Sequence, residues 1–246
     1  MRRLLLSFVL SIACVGAAHA QALPLSTIDS LRQAGAFQEA LETINTAQTG
    51  RPPAVALLWR EALTEVDIGE QRSGDAQAQQ YAKALETAQQ ALAADSSNAH
   101  AHLALAIAQG RVALNAGTGE RIRRSRAVKT HVDRAIALDS TLAPAYHVRA
   151  RWNREVADLG FFSRAIVRTV YGGLPEASFE QAVRDFKTAI RLEDKIIHHV
   201  ELARTYMKMD EEDPARKHLN IALQMPVKDP DDPRHKEDAR KLLDDV

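Results

Sequence analysis

Cysteine is nearly absent. Cys14 is the single one in 246 residues, and it lies inside the apolar N-terminal run. Beyond that run the chain cannot form a disulfide, a thiolate nucleophile or a cysteine-held zinc, so stability must come from packing. Aromatic residues are few as well, at 5% of the chain. Ala, Leu, Glu, Gln and Arg are abundant instead, a mixture that favours helix over sheet. No strand-like alternation of useful length occurs. Neither sign of charge prevails, with 32 basic against 32 acidic residues, or 30 against 32 without Arg2 and Arg3. So balanced a chain has no global basis for nucleic-acid binding, and none is expected.

Catalytic and cofactor motifs are missing too. Gly117-Thr118-Gly119 lacks the longer loop and Lys-Ser/Thr of a phosphate cradle. It reads as a helix connection, with Thr118 or Gly119 as the cap. No Gly-x-Ser-x-Gly elbow and no His-Glu-x-x-His is present. His100 and His102, or His198 and His199, are close in sequence but point different ways on a helix. The "DPDDP" run at 229–233 lacks the spaced oxygens, central Gly and distal Glu of an EF-hand, and reads as a polar turn. The expectation is therefore no enzyme, no metal and no cofactor.

What is present begins with a leader. Arg2 and Arg3 precede an apolar core from Leu4 to Val15, and Ala18-His19-Ala20 stands before Gln21. This pattern predicts a signal peptide over 1–20, cleaved after Ala20, and an exported, periplasmic protein. The rivals are an uncleaved anchor or lipid attachment at Cys14, although Ser11-Ile12-Ala13-Cys14 is a poor lipoprotein box. No later stretch is apolar for long enough to span a bilayer.

The rest repeats itself. "ALAADSSNAHAHLALA" at 91–106, "AIALDSTLAPAYHVRA" at 135–150 and "AIRLEDKIIHHVELA" at 189–203 share one plan. A helix ends in Asp or Glu, a short polar turn follows, and a helix rich in small residues restarts. Polar turn side chains cap the new helix, and small residues let neighbouring helices approach. The plan resembles the tetratricopeptide repeat, with Leu105-Ala106 and Leu202-Ala203 at helix contacts and Tyr146 and Tyr206 at aromatic positions. Corresponding alanines 91, 135, 189 and 222 are separated by 44, 54 and 33 residues. Only the last is near the usual repeat length of about 34, so the excess is insertion. Helix pairs are predicted at 26–47, 54–94, 98–138, 142–192 and 195–225, with a capping helix at 233–244. The prediction is an all-α, tetratricopeptide-like, right-handed solenoid. Residues 21–53 form an N-terminal helix pair and linker, and 54–246 form the repeat domain.

The irregular spacing resembles one family, the regulator of microtubule dynamics proteins. Leu58-Trp59-Arg60, "RIRRSRAVKTHVDRAIALD" at 121–139, 145–183 and 201–243 carry the likeness. Its most distinctive part is Arg151-Trp152-x-x-Glu155-Val156 with the aromatic and basic insert that follows. The family includes a mitochondrial outer-membrane tether and bacterial members. The resemblance implies a tetratricopeptide-like domain, associated in the tether with phospholipid binding and transfer and with protein partners.

Three groups of residues are candidates for binding. His147, Arg151 and Glu155 recur every four residues on a first helix, which lines the concave side of such repeats. Arg154 lies at their edge, Arg204 occupies the equivalent place in the next unit, and Arg111 flanks from the preceding one. An Arg151–Glu155 ion pair is the structural alternative. Trp152 reads as core. The basic run Arg121, Arg123, Arg124, Arg126, Lys129 and Arg134 is either a solvated face or a site for an acidic partner or lipid headgroup. The insert at 161–171 reads as a helix. Phe161, Phe162, Ala165, Ile166 and Val170 form its apolar side, and Arg164 and Arg168 form the other. It either closes the groove or makes a membrane-surface contact. The functional expectation is a scaffold binding a protein partner in its groove, with a phospholipid-binding module as the alternative.

Overall fold

The computed structural model describes residues 22–246 apart from 51 and 53. The predicted signal peptide over 1–20, with its expected cleavage after Ala20, and Cys14 lie outside the described residues, as do the side chains of Phe161 and Phe162. The described residues contain helices and no strand. In order these are α1 (Leu25–Gln33), α2 (Phe37–Gln48), α3 (Val55–Glu70), α4 (Gly74–Ala94), α5 (Ala99–Leu114), α6 (Thr118–Leu138), α7 (Ala143–Ala157), α8 (Phe161–Tyr171), α9 (Phe179–Leu192), α10 (Ile196–Met207), α11 (Glu212–Gln224) and α12 (Asp232–Asp244). Five antiparallel pairs result: α1/α2, α3/α4, α5/α6, α7/α9 and α10/α11. The expected pairs are all present, and α2 ends at Gln48, one residue beyond the predicted 47.

The repeating turn has a repeating cause. Asp95 Oδ1 accepts from Ser97 N at 2.9 Å and Ser97 Oγ at 2.6 Å, and Asp139 Oδ1 does the same with Thr141 at 2.8 and 2.6 Å. Each carboxylate closes its turn locally, leaving the chain aimed into the next helix. Asn98 then caps α5 through Ala101 N, and Ser178 caps α9 through Gln181 N, satisfying donors that no helical carbonyl reaches. At α6 the cap is Gly117, without a side-chain bond, rather than Thr118 or Gly119.

Packing proceeds unit by unit around successive apolar clusters. Ala62, Ala84, Ala88, Ala104 and Ala108 are buried with Leu105 where α3, α4 and α5 meet, because alanine lets helix backbones come close. Leu202, Phe186, Val200 and Leu219 form the corresponding cluster near the C-terminus. Ala239 of α12 joins it, with Leu242 and Leu243 packed against its edge, so α12 covers the last apolar face. Asp232 Oδ2 accepts from Lys228 N and Asp229 N at 2.8 and 2.9 Å. The "DPDDP" run is thus a turn closed on its own backbone.

Two features go beyond a plain stack. The insert separates α7 from α9 in sequence but not in space: α7 and α9 pair directly, and α8 is laid against α6. The chain also curls until its ends meet. A Cβ on Gly35, between α1 and α2, would stand 3.2 Å from the Pro230 ring just before α12.

Candidate groove site

Of the sequence candidates, Arg111, Arg121, His147, Arg151 and Glu155 line one concavity, while Arg154 and Arg204 lie outside its lining and Arg164 and Arg168 border a second one. A cavity of about 880 Å³ is bounded by α5, α6, α7, α8 and the start of α10. Ile107, Leu114, Ile122, Val148, Val156 and Val167 supply apolar wall, and Arg111, Arg121, His147, Arg151, Glu155 and His198 supply polar groups. Ile107 and Leu114 come from α5, Ile122 from α6, Val148 and Val156 from α7 and Val167 from α8.

Arg111 is neutralised by an ion pair with Glu70. Arg151 is 43% exposed along its side chain, and its nearest carboxylate oxygen is Glu201 Oε2, 3.9 Å from Nε. Burial pulls its pKa down, against the attraction of Glu201. The Arg151–Glu155 pair does not form; Glu155 Oε1 accepts instead from Arg154 Nη2 at 3.0 Å. Arg154 turns inward, where Nη1 donates to the Glu201 carbonyl at 3.1 Å and sits 2.6 Å from Glu201 Oε2. Arg204 approaches the same carboxylate at 3.7 Å and Asp238 of α12 at 3.3 Å. Arg151 and Arg204 therefore meet through a shared acid rather than standing free on one surface.

Glu201 is the residue that sequence reasoning missed. Burial alone would push its pKa up, but the charges of Arg154 and Arg151 outweigh that and hold it below the ordinary range. The same attraction raises Arg154 despite its own burial. The available signal was a Glu three residues before Arg204; nothing local says which arginines of α7 it meets.

Most of the basic run is committed to structure. Arg121 donates to the Ala113 and Ala116 carbonyls at 3.3 and 3.1 Å, capping the end of α5. Arg124 bonds Gln109 at 2.7 Å and pairs with Glu120, and Lys129 pairs with Asp133. Arg126 holds the end of α8 through the Tyr171 and Gly173 carbonyls. Arg123 pairs with Glu120 yet leaves 74% of its side chain in solvent, and Arg134 is exposed. Trp152 is buried, its Nε1 donating to Ser125 O at 2.8 Å, although one edge borders the cavity.

On α8, Arg164 donates to Leu159 O at 2.7 Å and also reaches Ala157 O, closing the end of α7. Arg168, Ala165 and Val167 line a second cavity of about 790 Å³ beneath the helix. Ile166 and Val170, on the side expected to need cover, are 54% and 66% exposed. Among the described residues no three His, Cys, Asp or Glu side chains gather as a metal-binding set.

Comparison with known proteins agrees with this architecture. A thermophilic TPR protein of Thermus thermophilus superposes with a TM-score of 0.64 at 20% identity, covering 89% of this chain and 97% of that one. Regulator of microtubule dynamics protein 1 of Caenorhabditis elegans is 26% identical over 219 residues, 89% of this chain and 97% of its own length. The Bos taurus protein of the same name is 27% identical, over 92% of this chain and 74% of its own. The match to regulator of microtubule dynamics protein 2 of Homo sapiens, at 24% identity, spans 54% of that protein. The family model for regulator of microtubule dynamics protein 1-3 matches residues 24–246, and the chain, a tetratricopeptide-like helical scaffold, belongs to that family.

Proposed function

We propose that this chain is an exported, non-catalytic adaptor whose groove receives an apolar segment of a protein partner, with an acidic group of that segment set against Arg151. The observation that carries the reading is the pairing of an apolar cavity of about 880 Å³ with Arg151, whose side chain is 43% exposed and whose nearest carboxylate oxygen is 3.9 Å away. Helical-repeat scaffolds expose extended concave surfaces suited to such segments. A photo-cross-linking side chain at Leu114, on the exposed lip of the groove, tests it in the host. It should trap a protein, and Arg151→Gln should weaken capture by about ten- to a hundredfold, the worth of one charge-assisted contact.

A second reading has its own observation. Ile166 and Val170 expose an apolar stripe on α8, beside the groove, as a membrane-surface contact requires. The ligand would then be a phospholipid, its chains against the apolar wall and its phosphate at Arg151. Native mass spectrometry with lipid extraction separates the two: a phospholipid adduct on the isolated protein, with no cross-linked partner, overturns the adaptor reading.

A further inference from the structure

Histidines meet in pairs along this solenoid. His102 Nδ1 of α5 lies 3.0 Å from His131 Nδ1 of α6, and His199 Nδ1 of α10 lies 2.9 Å from His218 Nδ1 of α11. These two contacts occupy equivalent places in their units, since His102 and His199 each stand three residues before Leu105 and Leu202. Each fastens one helix to its own partner. The third contact is different: His147 Nδ1 of α7 lies 2.9 Å from His198 Nδ1 of α10, joining the first helices of successive units.

Two facing Nδ1 atoms share one hydrogen bond only while one of them is bare. In the two intra-unit pairs the outer nitrogens determine the arrangement. His102 Nε2 faces the Ser96 carbonyl at 3.1 Å and His199 Nε2 faces Asp194 Oδ1 at 2.8 Å. Both acceptors require an Nε2–H, so in the neutral rings His131 and His218 donate through Nδ1. Either donor takes a further proton on its outer nitrogen without losing the bond.

The pair between units is more constrained. His198 is 3% exposed and its Nε2 is buried without a partner. The Phe186 ring of α9 stands edge-on to His147 at 5.5 Å. His147 faces Arg151 and Arg154 on its own helix, and His198 of α10 and His235 of α12 add repulsion once protonated. His198 faces Lys195, His199 and His235, with Asp194 as an opposing acid. Burial, reinforced by these charges, holds His147 well below the ordinary histidine range and His198 at about 4. A first proton on the pair adds charge beside Arg151. A second leaves two N–H groups facing each other, and the rings must part. Two turns further along α7 and one along α10, Arg154 pairs with Glu201, whose carboxyl is held below the ordinary carboxylate range by Arg154 and Arg151 against its burial.

We propose that the His147–His198 contact is a proton-operated joint: acid releases it while Arg154–Glu201 holds, and α10–α12 swing about that point. Because Pro230 rests on Gly35, the swing also parts the two ends of the solenoid and opens the groove. The joint does not depend on what the groove binds, so its test reads the chain alone.

Amide hydrogen exchange of the full chain, corrected for intrinsic rates, is compared at about pH 7.5 and about pH 4.5, either side of the histidine range. The wild type should lose protection by about tenfold or more at 143–150, 196–200 and 228–231, with 54–94 unchanged. His198→Asn and His147→Asn each keep an amide near the lost Nδ1 but do not titrate. Both should abolish the acid-induced loss, whereas His131→Asn should leave it intact. Equal loss in wild type and both joint variants, or loss confined to α5/α6, overturns the proposal. Should both variants fail to fold, ring ¹⁵N spectra of the wild type decide. Joint histidines that titrate near 6.5, independently of any exchange change, overturn it equally.

Discussion

Glu201 determines what α7 offers to the groove. Its carboxylate draws Arg154 inward and leaves Arg151 at 3.9 Å, so one guanidinium becomes structural and the other keeps nearly half its side chain in the cavity. Replacing Arg154 by Leu removes the partner at 2.6 Å and leaves a buried charge. Stability should fall by roughly 3 kcal/mol near neutral pH, with recovery in the double variant Arg154→Leu/Glu201→Leu. Denaturant midpoints of the single and double variants provide the check. At the apolar contacts, Leu105→Asp and Leu202→Asp should each cost on the order of 3 kcal/mol, since both side chains are buried between helices and an aspartate there has no partner. An unchanged unfolding midpoint would contradict their placement. Arg151, Arg154 and Arg204 were legible as a group from their spacing, but their common acid was not. Which carboxylate meets an arginine of the previous unit depends on the angle at which units pack, and no local pattern encodes that.

At the scale of the element, α8 separates what a helical wheel specifies from what it leaves open. The insert forms a helix over Phe161–Tyr171, as its spacing predicts. Its position is determined by residues outside it. Gly119 of α6 gives Tyr171 room, since a Cβ there would stand 3.1 Å from the ring. Gly172 and Gly173 turn the chain with φ of +75° and +82°, a region that glycine enters at little cost. Arg126 then fastens the end through two carbonyls. Arg126→Gln should raise proteolysis at 171–175 and lower global stability by only about 1 kcal/mol, because α8 lies outside the paired core. Ile166→Ser with Val170→Ser should shift stability by no more than about 0.5 kcal/mol, as both are exposed. Vesicle flotation of that variant reads the membrane-contact role: undiminished binding to anionic vesicles would dismiss the stripe as the contact.

For the whole molecule, histidine burial makes stability depend on pH. Burial foremost, then neighbouring cations, lowers His198 and His218 to about 4, and His147 and His131 are also lowered. The folded chain therefore binds fewer protons than the unfolded chain, whose histidines titrate near 6.5, and stability rises with pH across that interval. Unfolding free energy should hold steady above about pH 7, fall from about 6.5, and lose this slope below about 4. Urea titrations across that range measure it, and His198→Asn should flatten part of the slope. A stability independent of pH between those limits would mean that the paired histidines protonate as freely in the folded chain as in the unfolded one.

The class of structure was written locally. Alanine and leucine periodicity, Asp-led turns and the polar cap at Asn98 are each read within a few residues of where they act. Together they specify helix pairs and nearly all their limits. Packing between units settled the rest: that α8 would lie on α6, that Glu201 would gather three arginines, and that histidines 51 residues apart, 147 and 198, would share a bond. It also brought Gly35 against Pro230 at the far end of the chain. The physical reason is accumulation: each unit adds a small rotation set by which side chains interdigitate, and contacts between distant residues depend on the sum of all those rotations.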